Sequence, residues 1–158
     1  MSENRLKIRK ANIEDLNALI NLRKEHFIYE IEILDNKFLD ITWPESEDSR
    51  EDFKYFILKQ CIFIAEIDEI PVGYICGEIL DKKPWYLEKV ASLTNLFVKK
   101  EYRRKNIGKY LLDYFKEFVK EKGINKIEVN VMSNNINAID FYEYLGFENY
   151  TKQLLLNI

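Results

Sequence analysis

The segment Leu96-Phe97-Val98-Lys99-Lys100-Glu101-Tyr102-Arg103-Arg104-Lys105-Asn106-Ile107-Gly108-Lys109-Tyr110-Leu111-Leu112 runs from an apolar stretch through a basic turn into an amphipathic helical pattern. The first amides of an α-helix have no intrahelical acceptors, and the helix dipole adds partial positive charge there. A strand that delivers a basic turn to a helix N-terminus is therefore suited to a phosphate group. Arg103, Arg104, Lys105 and Lys109 add formal charge. The same residues also fit a plain strand-turn-helix connection with a solvated basic face. Gly108-Lys109 imitates the end of a nucleoside-triphosphate loop, but Tyr110 replaces the metal-binding Ser/Thr and Arg103 stands where the first Gly belongs. No G-x-G-x-x-G occurs, so nothing supports a dinucleotide fold.

A second block, Asn134-Asn135-Ile136-Asn137-Ala138-Ile139-Asp140-Phe141-Tyr142-Glu143-Tyr144-Leu145-Gly146-Phe147, follows the alternating run Ile127, Val129, Val131. Its Asn residues suit a helix N-cap and Gly146 suits the stop. Ala138, Tyr142 and Leu145 form one apolar face, on which Tyr142 reads as a core residue.

Together the two blocks resemble the signatures of the GNAT N-acetyltransferases. The first is Leu/Ile-x-Val followed by Arg/Gln-x-x-Gly-x-Gly/Ala and a helix, here Leu96-Phe97-Val98 and Arg103 to Gly108. Asn106 departs from the pattern, standing where the family usually has Gly; Asn is the non-Gly residue that best tolerates positive φ. The second is Asn-x-x-Ala-Ile-x-Phe/Leu-Tyr-x-x-Leu-Gly-Phe. The motifs cover roughly residues 90–150, and the order of elements extends the likeness along the whole chain.

At 158 residues the chain fits one domain, 1–158, able to bury a core. Its 47% apolar and 14% aromatic content is that of a folded protein. No apolar run is long enough to cross a bilayer, and Ser2-Glu3-Asn4-Arg5 does not open a signal peptide, so a cytoplasmic protein without membrane partners is expected. Cys61 and Cys76 lie in apolar runs without a C-x-x-C partner and read as buried free thiols, a disulfide being disfavoured. His26 is the sole histidine and sits on a Leu-rich helix, which argues against a His-based metal site or triad.

The expected elements are a strand at Leu6–Arg9, a helix at 13–30, an irregular acidic stretch from Glu30 to Asp52, and a helix at Ser49–Lys59. A hairpin follows (Cys61–Ile67 and Val72–Leu80 about Asp68-Glu69), then a loop at Lys82-Lys83-Pro84 and a strand ending at Val98. Helix 106–122, strand 125–132, helix 136–145 and a last strand or hairpin through Leu156 complete the chain. The order β-α-α-β-β-β-α-β-α-β is an α/β (α+β) fold. Pattern gives no more than that; the resemblance implies a mixed, mostly antiparallel sheet with flanking helices.

The resemblance implies transfer of an acetyl group from acetyl-CoA to a primary amine, by direct attack and without a metal. It implies that the pantetheine arm pairs with the backbone of Leu96, Phe97 and Val98. The pyrophosphate is then expected on Arg104, Lys105, Asn106, Ile107, Gly108 and Lys109, with Arg103 beside it and Asn135 near the cofactor. Tyr142 matches the tyrosine that protonates the departing thiolate. A phenol of reference pKa about 10 is a filled donor at neutral pH. The general base does not carry over, because the strand positions where relatives hold Glu read Ser92, Thr94, Asn95 and Asn130. Glu128 shares a strand face with Asn130 but fits a solvent-facing position better than the role of a base. An amine of pKa about 10.4 is roughly one part in a few thousand neutral at pH 7, and a water chain on Thr94 or Asn130 would serve.

Net charge is −3, but residues 30–52 hold nine acids against Lys37 and Arg50, while 99–126 is mostly basic. Such segments read either as solvated surface or as an acidic acceptor side facing a basic CoA side. The acceptor is expected to be a small cationic amine. Transfer to a protein N-terminus or lysine is the alternative, and a non-catalytic acyl-CoA sensor is a third. Nucleic acid is disfavoured by the net charge and the lack of a motif. The oligomeric state is open between monomer and homodimer.

Overall fold

The computed structural model describes residues 5–80, 85 and 87–158. The expected loop at Lys82-Lys83-Pro84 and residues Ser2 to Asn4 lie outside them. Strand β1 (Leu6–Lys10) leads through a 3₁₀ turn into α1 (Leu16–Glu32). Asn12 and Asp15 close a reciprocal capping box at that turn, so one short motif satisfies two otherwise open amides. Helix α2 (Glu47–Leu58) starts two residues before the expected Ser49, because the Ser46 hydroxyl accepts the Ser49 N–H at 3.1 Å.

Strands β2 (Ile62–Ile67) and β3 (Ile70–Ile79) form the expected hairpin. Asp68 and Glu69 hold φ of 50° and 67°, the left-handed pair that suits a tight turn between twisted strands. Every residue of β2 is buried, because α1 and α2 cover one face of the sheet and α3 (Ile107–Glu121) the other. Strands β4 (Ala91–Val98) and β5 (Ile127–Val129) and helix α4 (Ile136–Tyr144) complete the elements. The sheet order is β1-β2-β3-β4-β5, with only the β4–β5 pair parallel.

Two irregularities shape the fold. Cys76 pairs with Asn95 and Gly77 with Leu93, so Thr94 is an extra residue and β4 bulges there. A Cβ at Gly77 would lie 2.5 Å from Phe115 Cζ and from the Ser92 carbonyl, so only glycine lets α3 settle on the bulge. The second is a correction: residues 147–158 form no strand, and Leu154, Leu155 and Leu156 stand in solvent. Alternating apolar residues favour extended chain, but a strand also needs an edge to pair with, and here none is engaged.

Cys61 and Cys76 are both buried and free. The Cys61 thiol donates to the Phe56 carbonyl at 3.6 Å, and that of Cys76 to the Asn95 side-chain oxygen at 3.7 Å. Arg23 of α1 is 2% exposed. Its guanidinium lies 3.5 Å from the Phe53 ring centroid, bonds Asp52 at 2.7 Å and donates to both Ser49 oxygens, which ties α1 to α2. Arg9 joins β1 to Asp15 and to Glu66 of β2.

Candidate active site

The site is built on an interrupted strand pair. β4 and β5 pair only through Ala91–Leu93 and Ile127–Val129; β5 is shorter than the expected 125–132 and the two strands part beyond it. The Lys99 N–H bonds the Val72 carbonyl at 2.9 Å, and Tyr74 stands opposite Phe97. Main-chain groups alternate in direction along an antiparallel strand, so those of Lys99 and Phe97 point to β3, while those of Leu96 and Val98 point to the gap. Of the three strand residues expected near the pantetheine, Leu96 and Val98 turn main-chain groups to the gap, where the Val98 carbonyl also accepts from Arg103 Nε, whereas the amide and carbonyl of Phe97 face β3. The bulge at Thr94 helps to bend β4 away, and a row of peptide groups is left that an extended, amide-containing arm can complete.

Past Val98 the chain makes a short 3₁₀ turn (Lys100–Tyr102) and enters the basic loop. Arg104 and Asn106 adopt φ of 60° and 61°. Asn106 therefore takes the left-handed conformation for which a glycine is usual, as its chemistry allows. The first helical bond runs from the Tyr110 N–H to the Asn106 carbonyl at 3.0 Å, and Asn106 makes no side-chain cap bond. The amides of Ile107, Gly108 and Lys109 precede that bond and have no helical acceptor. A loop of this shape at a helix N-terminus fits a diphosphate.

The side chains of the loop fall into two groups, some engaged within the protein and some exposed. Arg103 Nε donates to the Val98 carbonyl at 2.9 Å, and its guanidinium lies 4.5 Å from the Tyr29 ring and 5.7 Å from that of Phe97. It is a clamp between loop, strand and α1. Lys109 pairs with Asp113 at 2.8 Å. Arg104, Lys105 and Asn106 are exposed at the loop tip, whereas Ile107 is buried in the core. Gly108 has ordinary helical φ, and a Cβ there would meet Phe141 at 3.4 Å and Val98 at 4.0 Å. A Cβ would make only ordinary van der Waals contact there, so neither packing nor backbone conformation demands glycine in the unliganded protein.

Helix α4 carries Tyr142, and the neighbouring Phe141 lies beside Gly108 of α3. Asn135, expected near the cofactor, uses its side-chain oxygen to cap this helix by accepting the Ala138 N–H at 3.2 Å. Its neighbour Asn134 donates to the Leu34 carbonyl at 2.7 Å and so ties the start of α4 to the chain after α1. Tyr142 is buried with Phe141 and Phe147 at ring distances of 5.2 and 5.1 Å. Burial pushes its phenol up, which keeps it protonated at neutral pH. Gly146, at φ 91°, ends the helix region as the sequence implied.

The sequence reading missed His26. Its ring stacks on Phe97 at 5.1 Å, its Nε2 lies 3.1 Å from Glu30, and its buried Nδ1 has no hydrogen-bond partner. Glu30 also accepts from Asn36 at 3.2 Å, and the hydrogen bond from His26 is the main cause holding its carboxyl below the ordinary range. A lone histidine on an apolar helix carries no sequence signal of this placement. The acids of 30–52 are also less free than their count suggests. Asp52 pairs with Arg23, Glu45 with Lys24, Asp35 with Lys37, and Glu47 and Glu51 with Lys54. Trp43 lies 5.1 Å from the Arg23 guanidinium, and Tyr29 is covered by Arg103, whereas Phe38 is 78% exposed.

Among the described residues no group of side chains is arranged to hold a metal ion, and no helix is long and apolar enough to cross a membrane. The pattern of the "Acetyltransferase (GNAT) family" matches residues 25–147. A spermidine N(1)-acetyltransferase of Thermoplasma acidophilum is 29% identical over 150 residues, covering 90% of this chain and 88% of that protein. The crystal structure of the PaiA N-acetyltransferase of Thermoplasma acidophilum in complex with coenzyme A superposes with a TM-score of 0.79 at 27% identity, over 94% of this chain and 93% of that one. An acetyltransferase from Clostridium acetobutylicum, solved with acetyl-CoA, shares the fold at a TM-score of 0.77 and 22% identity, over 97% and 96% of the two chains. A match that runs from α1 through α4, and so through every element bordering the open edge of β4, makes this chain a member of the GNAT family, an N-acetyltransferase that uses acetyl-CoA as cosubstrate.

Proposed function

We propose that the protein acetylates a primary amine of a small cationic acceptor, of the polyamine kind, by direct attack on acetyl-CoA. The observation that carries the site assignment is the open edge at Leu96 and Val98 running directly into a left-handed loop and a helix N-terminus. The main-chain groups of Leu96 and Val98 hold the amide-bearing arm, and the amides from Arg104 to Lys109 hold the diphosphate, with Arg104 and Lys105 adding charge from the tip. Arg103 acts indirectly, by fixing the loop to Val98 and Tyr29. The neutral amine forms the new C–N bond as the C–S bond breaks, Tyr142 gives its proton to the departing thiolate, and the proton shed by the acylated nitrogen passes through water to restore the phenol. Asn135 caps α4 and so helps to place Tyr142.

The polyamine class rests on two supports: the acidic excess of residues 30–52 and the similarity to a spermidine acetyltransferase. Paired acids such as Glu45 and Glu51 leave less field than a bare count implies, yet the segment still carries nine acids against two internal cations. Such a field concentrates a polycation and is screened by salt over about 8–10 Å. The test is a panel of amines with acetyl-CoA, followed by thiol release. Polyamines should be turned over best, with KM rising between low and high salt. Faster turnover of a neutral or anionic amine, with no salt response, would overturn the acceptor assignment. Binding of acetyl-CoA with no turnover of any amine would favour a sensor instead.

A further inference from the structure

The strand positions at which relatives carry glutamate read Ser92, Thr94, Asn95 and Asn130, so they supply no carboxylate to take a proton from the acceptor. Helix α1 holds a group that can. His26 Nε2 lies 3.1 Å from Glu30, whose other oxygen accepts from Asn36 at 3.2 Å. Fixed in this way, the carboxylate accepts the Nε2–H and leaves the ring's lone pair on Nδ1. That nitrogen is buried and makes no hydrogen bond. An acceptor left unsatisfied costs about 1–3 kcal/mol and calls for a partner that the free protein does not supply. A carboxylate behind an imidazole whose other nitrogen stays open is the arrangement of a general base.

The ring is also in the right place. It stacks on Phe97 at 5.1 Å, and Phe97 lies between Leu96 and Val98, which turn main chain to the gap. Glu30 follows His26 by one helical turn, and one turn further the Leu34 carbonyl accepts from Asn134 at the start of α4. At 1.5 Å per residue the stripe from 26 to 34 is roughly 12 Å long, enough to span two strand spacings of about 4.8 Å each. The end of α1 therefore bridges from β4 to α4, across the opening where β4 and β5 part.

We propose that His26 is the general base of the transfer, with Glu30 as its positioning residue. The assignment rests on the acetyl-transfer reading above but not on which amine is the acceptor. With the diphosphate on the loop after Val98, the arm runs back along β4 and brings its thioester end to Leu96, beside Phe97 and the ring that covers it. As the C–N bond forms, the attacking nitrogen sheds one proton to Nδ1. The C–S bond breaks, and the thiolate takes the proton of Tyr142. Water then carries the proton from the imidazolium to the phenolate, so amide and thiol leave an unchanged enzyme. Nδ1 is covered before ligands bind, and contacts of catalytic groups often align only in the complex. The charged groups near the ring are Glu30 on its own helix and Arg103 across Phe97; Glu25 is paired with Lys99.

The experiment uses the full chain and the amine that it turns over fastest. His26→Phe keeps a ring on Phe97, and His26→Gln keeps a polar side chain. Both should bind CoA within about twofold of wild type and lose about 10²–10⁴-fold in kcat. His26→Ala leaves a hollow, and added imidazole and its methyl derivatives should restore turnover in the order of their basicity, a trend that filling the hollow does not give. His26 is the sole histidine, so nitrogen-15 histidine gives one ring to follow. Its Nδ1 should be unprotonated, should shift when CoA and amine bind together, and should share the proton with Nε2 in Glu30→Gln. Turnover within about threefold of wild type in both His26→Phe and His26→Gln, or rescue that ignores basicity, would overturn the proposal. If a variant loses CoA binding, the wild-type spectrum decides, and a proton resident on Nδ1 overturns the assignment. A wild type that binds CoA but acetylates no amine would remove the acetyl-transfer reading itself, and this base with it.

Discussion

Asn106 gives the sharpest test of the phosphate loop. It holds φ 61° and ψ 8° immediately before the first helical turn, and its carbonyl accepts the Tyr110 N–H. A residue with a Cβ loses about 1–2 kcal/mol in this conformation, Asn less than most. Replacing it by alanine should therefore raise the energy of the loop by about 1–1.5 kcal/mol relative to Asn, while glycine should lower it. Where the free loop relaxes to escape that strain, only a fraction of molecules remains competent to bind. Apparent affinity falls in proportion, roughly five- to twelvefold for this energy. Calorimetric titration with CoA should thus show Asn106→Ala binding about five- to tenfold more weakly than wild type, with Asn106→Gly at or near wild-type strength. Alanine and glycine variants that bind CoA within about twofold of each other would refute the reasoning. A strained loop that makes no phosphate contact has no means of passing its strain to affinity.

Tyr142→Phe keeps the packing against Phe141 and Phe147 but removes the proton donor; kcat should fall about 10²-fold with CoA affinity unchanged, as steady-state kinetics beside calorimetry will show. Arg23→Ala removes a buried cation and strands Asp52, at a cost of about 3 kcal/mol, which should lower the melting temperature by roughly 6–12 °C. Arg9 holds the Asp15 carboxyl below its usual range, chiefly through side-chain hydrogen bonds. A depressed carboxylate stabilises the fold fully above its unfolded pKa of about 3.9 and loses that contribution as pH falls through the lower folded value. Asp15→Asn should therefore be less stable than wild type at neutral pH, and the gap should narrow in urea melts below about pH 3.9; a gap of constant size would assign the loss to the capping box alone.

Local chemistry was legible in the sequence wherever it acts between near neighbours. The turn at Asp68-Glu69, the strand-turn-helix at Val98–Lys109 and the left-handed tolerance of Asn106 all rest on residues a few positions apart. The element order followed from period alone up to α4. The strand edge and loop expected to hold the cofactor are likewise contiguous in the chain. Contacts with distant partners were not legible: Arg103, expected beside the pyrophosphate, also reaches Val98 and Tyr29, and Asn135, expected near the cofactor, also caps α4.

Tertiary structure alone decided the rest. The bulge at Thr94 appears only once β3 fixes the register of β4, and that register turns Leu96 and Val98 to the gap but Phe97 to β3. His26 comes to rest on Phe97 through the packing of α1 across the sheet. The tail from Phe147 has an extended pattern but no strand, because a strand is a relation between two segments and its partner edge lies outside any local window. Periodicity fixes which residues turn inward together, whereas pairing register and helix docking fix what they meet, and those are set by contacts between residues far apart in the chain.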